Sequence, residues 1–87
     1  MAGRRTVETL VVMQPIAVDT GSPDHEGRLV IANGLLVAVL VRLEAPEHDE
    51  IGGWFLEVGF GRLKGLRAPT FLTLDAATRW LRGELRP

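Results

Sequence analysis

The chain has 87 residues, ten Lys or Arg, eleven Asp or Glu, a formal net charge of −1 and no cysteine. Disulfides, thiolate chemistry and Cys-based zinc or iron–sulfur sites are therefore excluded. The near-neutral charge argues against a dedicated nucleic-acid binder. A chain of this size buries only about 60–65% of its extended surface, so oligomerisation would supplement a small core.

No signal peptide is expected. Arg4 and Arg5 precede only the brief apolar stretch Leu10–Met13, which Gln14-Pro15 cuts short. The longest apolar run, Gly34–Val41, is far short of the roughly 20 residues that span a membrane. No membrane association and a cytoplasmic location are the resulting expectations.

In chain order, residues 1–6 read as a flexible N-terminus and residues 7–87 as a single small α+β domain. Val7–Gln14 reads as an N-terminal strand that Pro15 limits, with Ile16-Ala17-Val18 extending it past a kink. Asp19–Gly27 has loop composition. Arg28–Ala32 is a short strand. Asn33-Gly34 is a hairpin turn, because both residues tolerate positive φ.

Leu35–Leu43 returns as a β-branched strand with two apolar faces. Leu35, Val37, Val39, Val41 and Leu43 fall on one face; Leu36, Ala38, Leu40 and Arg42 fall on the other. Such a strand wants a sheet, a covering helix and a further apolar surface. Trp54–Phe60 is a third strand, with Trp54, Leu56, Val58 and Phe60 sharing one face and Phe55, Glu57 and Gly59 the other; Gly59 and Gly61 suggest a bulge, a tight packing contact or the strand's end. Arg62–Pro69 is a basic loop, and Thr70–Leu72 a brief extended piece.

Thr73 is the N-cap of a helix over about Leu74–Arg82, with Asp75 complementing the helix dipole. Leu74, Ala77 and Leu81 form its buried stripe, and Gly83 is its C′ residue. Trp54, Phe60 and Trp80 are expected between helix and sheet. The fold expected is a three- or four-stranded antiparallel sheet with one C-terminal helix on one face: β-β-β-α with an extra N-terminal strand.

Charge is unevenly distributed. Glu44–Glu57 holds five acids and no Lys or Arg, whereas Arg62–Arg86 holds six bases against Asp75 and Glu84. Opposite charge of this kind can orient one subunit on another.

Catalytic patterns are sparse. The triplets Asp24-His25-Glu26 and Glu47-His48-Asp49 carry zinc- and nickel-ligand types, but adjacent residues do not easily converge on one ion. Both read as solvated acidic loops. Ser22 is the only serine, and no GxSxG elbow surrounds it. Gly59–Gly65 lacks the Walker ending and reads as a strand end and turn. No cofactor, metal or catalytic residue is assigned.

Three strands followed by a helix, a tryptophan near the sheet start, glycines after the third strand and the phrase FLTLDAATRWL are similar to integrase arm-type DNA-binding domains. The resemblance covers about Arg28–Leu81 and contains no specific motif. It implies a sheet in the major groove, with Arg62, Lys64, Arg67 and Arg79 as phosphate contacts. The sequence departs from it where Leu35–Leu43 is too apolar to face phosphate.

The reading adopted is a non-enzymatic protein-interaction domain that self-associates, as a homodimer or larger homo-oligomer, or binds another protein. Leu36, Ala38, Leu40 and Phe55 are the candidate self-association residues. Arg62, Lys64, Arg67 and Arg79 are candidate contacts to an acidic partner or to phosphate. The alternatives are a nucleic-acid-binding module that uses the basic loop and sheet, and a small enzyme or metal-binding protein that uses His25 and His48.

Overall fold

The computed structural model describes residues 9–86. The expected flexible N-terminus and Val7 of the first strand lie outside the described residues. The fold is α+β, a four-stranded antiparallel sheet in the order β1-β2-β3-β4 with one C-terminal helix. The strands are β1 (Val11–Ala17), β2 (Glu26–Ala32), β3 (Leu35–Arg42) and β4 (Trp54–Gly59), and the helix is α1 (Leu74–Glu84).

Pro15 does not break β1, which pairs with β2 from Val11 to Ala17. The strand lies at the sheet edge, where a missing N–H is tolerated. β2 begins at Glu26, two residues before the expected start. Asn33 and Gly34 adopt φ of 50° and 85° and reverse the chain into β3. Asn33 also accepts a 3.0 Å bond from the Leu10 N–H through its side chain, which ties β1 to the hairpin end.

Two register shifts decide which residues share a face. Val30 pairs with Ala38 and Ile31 with Leu36, so Val37 is the extra residue of a bulge. Val39 pairs with Val58 and Leu40 with Leu56, so Glu57 is a second extra residue. Strict alternation along Leu35–Leu43 and Trp54–Phe60 therefore fails. Leu36 is on the opposite face from Ala38 and Leu40, and Val58 is on the opposite face from Trp54 and Leu56.

The helix packs on one face only. Val30, Ala38, Leu40, Trp54, Leu63, Phe71, Ala77 and Leu81 form the core, and Val11, Met13, Leu56, Leu74 and Trp80 pack around it. Phe71 exchanges backbone bonds of 2.7 and 2.8 Å with Trp54, which continues the sheet by one bridge beyond β4. Its ring meets Trp80 at 5.5 Å, and the Arg28 guanidinium lies 4.9 Å above the Trp54 ring. Phe60 is not between helix and sheet: it follows the second bulge and is exposed.

Thr73 caps α1 by accepting from the Ala76 N–H at 3.0 Å. The helix runs past Arg82 and includes Gly83, which is therefore not its C′ residue. Its last backbone bond is from the Leu85 N–H to the Leu81 carbonyl. Gly61–Leu63 forms a single 3-10 turn that begins one residue before the expected basic loop.

Candidate functional site

Residues directly opposite in an antiparallel ladder share a face, so the register defines the uncovered side of the sheet. It consists of three cross-strand rows. The first is Val12, Ile31 and Leu36. The middle row is Gln14, Leu29, Val39 and Val58, and the third is Ile16, Gly27, Val41 and Phe55. Gln14 is the one polar side chain among the paired residues of these rows, no Lys or Arg occurs in them, and the unpaired bulge residue Glu57 lies exposed beside Phe55 and Val58.

This surface lies open wherever the loops do not reach it. Val12, Ile16, Leu36, Phe55 and Val58 are exposed. Of the sequence-derived association residues, Leu36 (45% exposed) and Phe55 (42%) belong to it, whereas Ala38 and Leu40 are both 0% exposed beneath the helix. Ala38 and Leu40 are thus core rather than contact residues, because the Val37 bulge separates them from Leu36. Val12, Ile16, Leu29, Ile31, Val39 and Val58 lie on the open face instead. Alternation outward from Asn33-Gly34 could have found Leu29 and Ile31; nothing in the sequence marks the bulge at Val37, while Gly59 and Gly61 suggest one near the end of β4 without placing it at Glu57.

The third row is partly roofed. Val18 folds over Gly27, and a Cβ on Gly27 would lie 2.5 Å from Val18 Cγ2. Beside it the loop from Val18 to His25 and the connection from Leu43 to Gly53 enclose a cleft of about 400 Å³. Val41, Leu43 and Phe55 give it an apolar floor, with Asp49, Glu50 and Glu57 among its polar lining.

Asp24 joins the two loops and corrects the reading of both acidic triplets as solvated. One carboxylate oxygen accepts from the Glu44 and Ala45 backbone N–H groups. The other accepts from His48 Nε2 at 2.7 Å. The Glu44 amide is the main influence holding the Asp24 pKa at about 2, below its ordinary 3.8; burial opposes it, and His48 and the Ala45 amide assist.

Ser22 lines the same cleft but offers no nucleophile–base pair. Its hydroxyl accepts from the Asp24 N–H at 3.1 Å and bonds the Thr20 hydroxyl at 3.0 Å. His48 spends Nε2 on Asp24, and Asp24 spends its second oxygen on the loop amides. The Asp24–His48 contact ties the two loops together. His25 lies elsewhere, with Nδ1 3.4 Å from the Val18 carbonyl, and lines a shallow depression beside Ile16 and Arg28. The two histidines are not brought into one site, and no group of three metal-ligating side chains occurs among the described residues.

Charge separates along the strands. The acidic connection, with Glu44, Glu47, Asp49 and Glu50, joins the end of β3 to the start of β4. Arg42 lies 3.5 Å from both Glu26 and Glu44 at this end. Among the described residues, no ion pair involves Glu47, Asp49 or Glu50. At the opposite end, Arg62 donates to the Leu85 and Arg86 carbonyls at 3.3 and 3.0 Å. This places Arg62, Lys64 and the end of α1 together. Arg67 lies in the segment leading to the Phe71 bridge, and Arg79 on the helix. Both are exposed, but the four candidate cations do not share the open sheet face.

Comparison of the chain with protein-family models, curated proteins and solved structures finds no match. No helix among the described residues is long and apolar enough to cross a membrane.

Proposed function

We propose that this protein is a non-enzymatic association domain whose open sheet face pairs with a second copy of itself. The observation that carries this reading is the three-row face, whose paired residues are apolar except Gln14, with the bulge residue Glu57 at its β4 edge. Two-sided apolar sheets are normally covered on both faces, and α1 covers one.

The face measures roughly 400 Å² from strand spacing and rise per residue. That is within the range of the largest apolar patches on monomers, which are often interaction sites. A copy of the same face supplies the same flat apolar surface.

A nucleic-acid partner would meet no cation on this face and would depend on the basic end alone. For catalysis, the Ser22 hydroxyl bonds Thr20 and Asp24 within its own loop and makes no bond to His48. Both considerations favour a protein partner and an apolar mechanism.

The test is sedimentation equilibrium of the wild type and Val58→Lys across concentration, at low and about 0.5 M salt. At the higher salt the Debye length falls to roughly 4 Å. The wild type should dimerise at both salts and Val58→Lys should remain monomeric. A monomeric wild type at high micromolar concentration overturns the proposal.

A further inference from the structure

We infer that the two copies stack with antiparallel strands, β1 over β1 and β4 over β4, about a two-fold axis crossing the strands at the middle row. The inference rests on self-association through the open face. The product is a four-layer assembly, helix–sheet–sheet–helix, with sheets about 10 Å apart.

Two face-to-face arrangements have two-fold symmetry and keep the strands aligned. With the axis along the strands, like ends coincide and β1 lies over β4. With the axis across the strands, opposite ends coincide and each strand lies over its own copy. Two independent features select the second.

The first is the charge along the strands. Glu47, Asp49 and Glu50 lie beyond one end of the open face, and Arg62 and Lys64 beyond the other. An axis along the strands sets acid against acid and base against base. An axis across them brings Lys64 of each copy towards the acidic end of the other, twice by symmetry. The ends matter because the sheet face alone, at roughly 400 Å², is about half the 800 Å² that each partner contributes to a standard interface.

The second feature is Gln14, which lies in the middle row on edge strand β1. An axis across the strands places it over the partner's Gln14. An amide has one acceptor and two donors, so two facing amides satisfy one another reciprocally. The other arrangement sets Gln14 on the partner's Val58 and forgoes that reciprocal pair. Val58 instead meets the partner's Val58, while Leu29 and Val39 in the same row meet their own copies.

The chain has no cysteine, so single thiols report on the arrangement. Gln14→Cys and Val58→Cys would be treated with a bis-maleimide reaching about 10 Å, the spacing of stacked sheets. Separate samples and an equimolar mixture would be resolved by mass, with sedimentation of each untreated variant in parallel. Each variant is expected to cross-link to itself, and the mixture to give no product that joins one variant to the other. Across-sheet partners in the other arrangement are about 17 Å apart for like positions, so cross-linking only in the mixture overturns the orientation. A sedimenting dimer that cross-links in neither case overturns it in favour of edge association. Monomeric wild type and variants overturn self-association itself.

Discussion

Asp24 Oδ2 and His48 Nε2 lie 2.7 Å apart although 24 residues separate them in the chain. Together with the Glu44 and Ala45 amides, this contact holds the Val18–His25 loop against the acidic connection and walls one end of the open sheet face. Asp24 is only 7% exposed, and its three acceptor bonds explain how a charge persists there.

The pH dependence follows from that geometry. Asp24 is depressed from 3.8 to about 2 in the folded chain. Its contribution to stability is therefore fully present above about pH 4 and is lost as pH falls towards 2. Urea midpoints of the wild type and Asp24→Asn should differ most near neutrality and converge over this window. A difference that stays constant from pH 7 to 2 would contradict the account.

Gly59 marks a second constraint. A Cβ at this position would lie 2.5 Å from the Leu63 carbonyl oxygen and 2.9 Å from Leu63 Cβ. The 3-10 turn at Gly61–Leu63 closes directly on the end of β4. Gly59→Ala should cost about 1–3 kcal/mol by overpacking, measured by chemical denaturation. A neutral outcome would show that the turn can move away without loss.

The two faces of β3 should respond differently. Leu40 is 0% exposed, and Leu40→Ala should cost about 2–5 kcal/mol. Leu36→Ser should leave the monomer's stability within about 0.5 kcal/mol but weaken dimerisation. Denaturation at low concentration separates these effects from association. Equal destabilisation of the monomer by both substitutions would contradict the assignment of Leu36 to the open face.

Thr73→Ala removes the side-chain acceptor for the Ala76 N–H. It should destabilise the fold by about 1 kcal/mol, with thermal unfolding as the measure. No loss would mean that solvent or another group satisfies that amide equally well.

Much of the fold was legible locally. Asn33-Gly34 gave the hairpin, Thr73 and the Leu74, Ala77 and Leu81 spacing gave the helix, and the apolar content of Leu35–Leu43 required covering on two sides. The bulge at Val37 was not legible, because no glycine or other local signal stands there, and Gly59 and Gly61 hinted at one near the end of β4 without placing it at Glu57. The effect of the two bulges was to reassign Ala38 and Leu40 to the core and Val58 to the open face. The burial of Asp24 was equally hidden: an acidic loop reads as solvated unless one knows which distant amides meet it.

The most direct measurement is the sedimentation-equilibrium mass of the wild type from low to high micromolar concentration, with Val58→Lys beside it. The account predicts a rise from the mass of one chain to that of two for the wild type, retained in about 0.5 M salt, and a single-chain mass throughout for Val58→Lys. A wild type that keeps the mass of one chain over the whole range would contradict it.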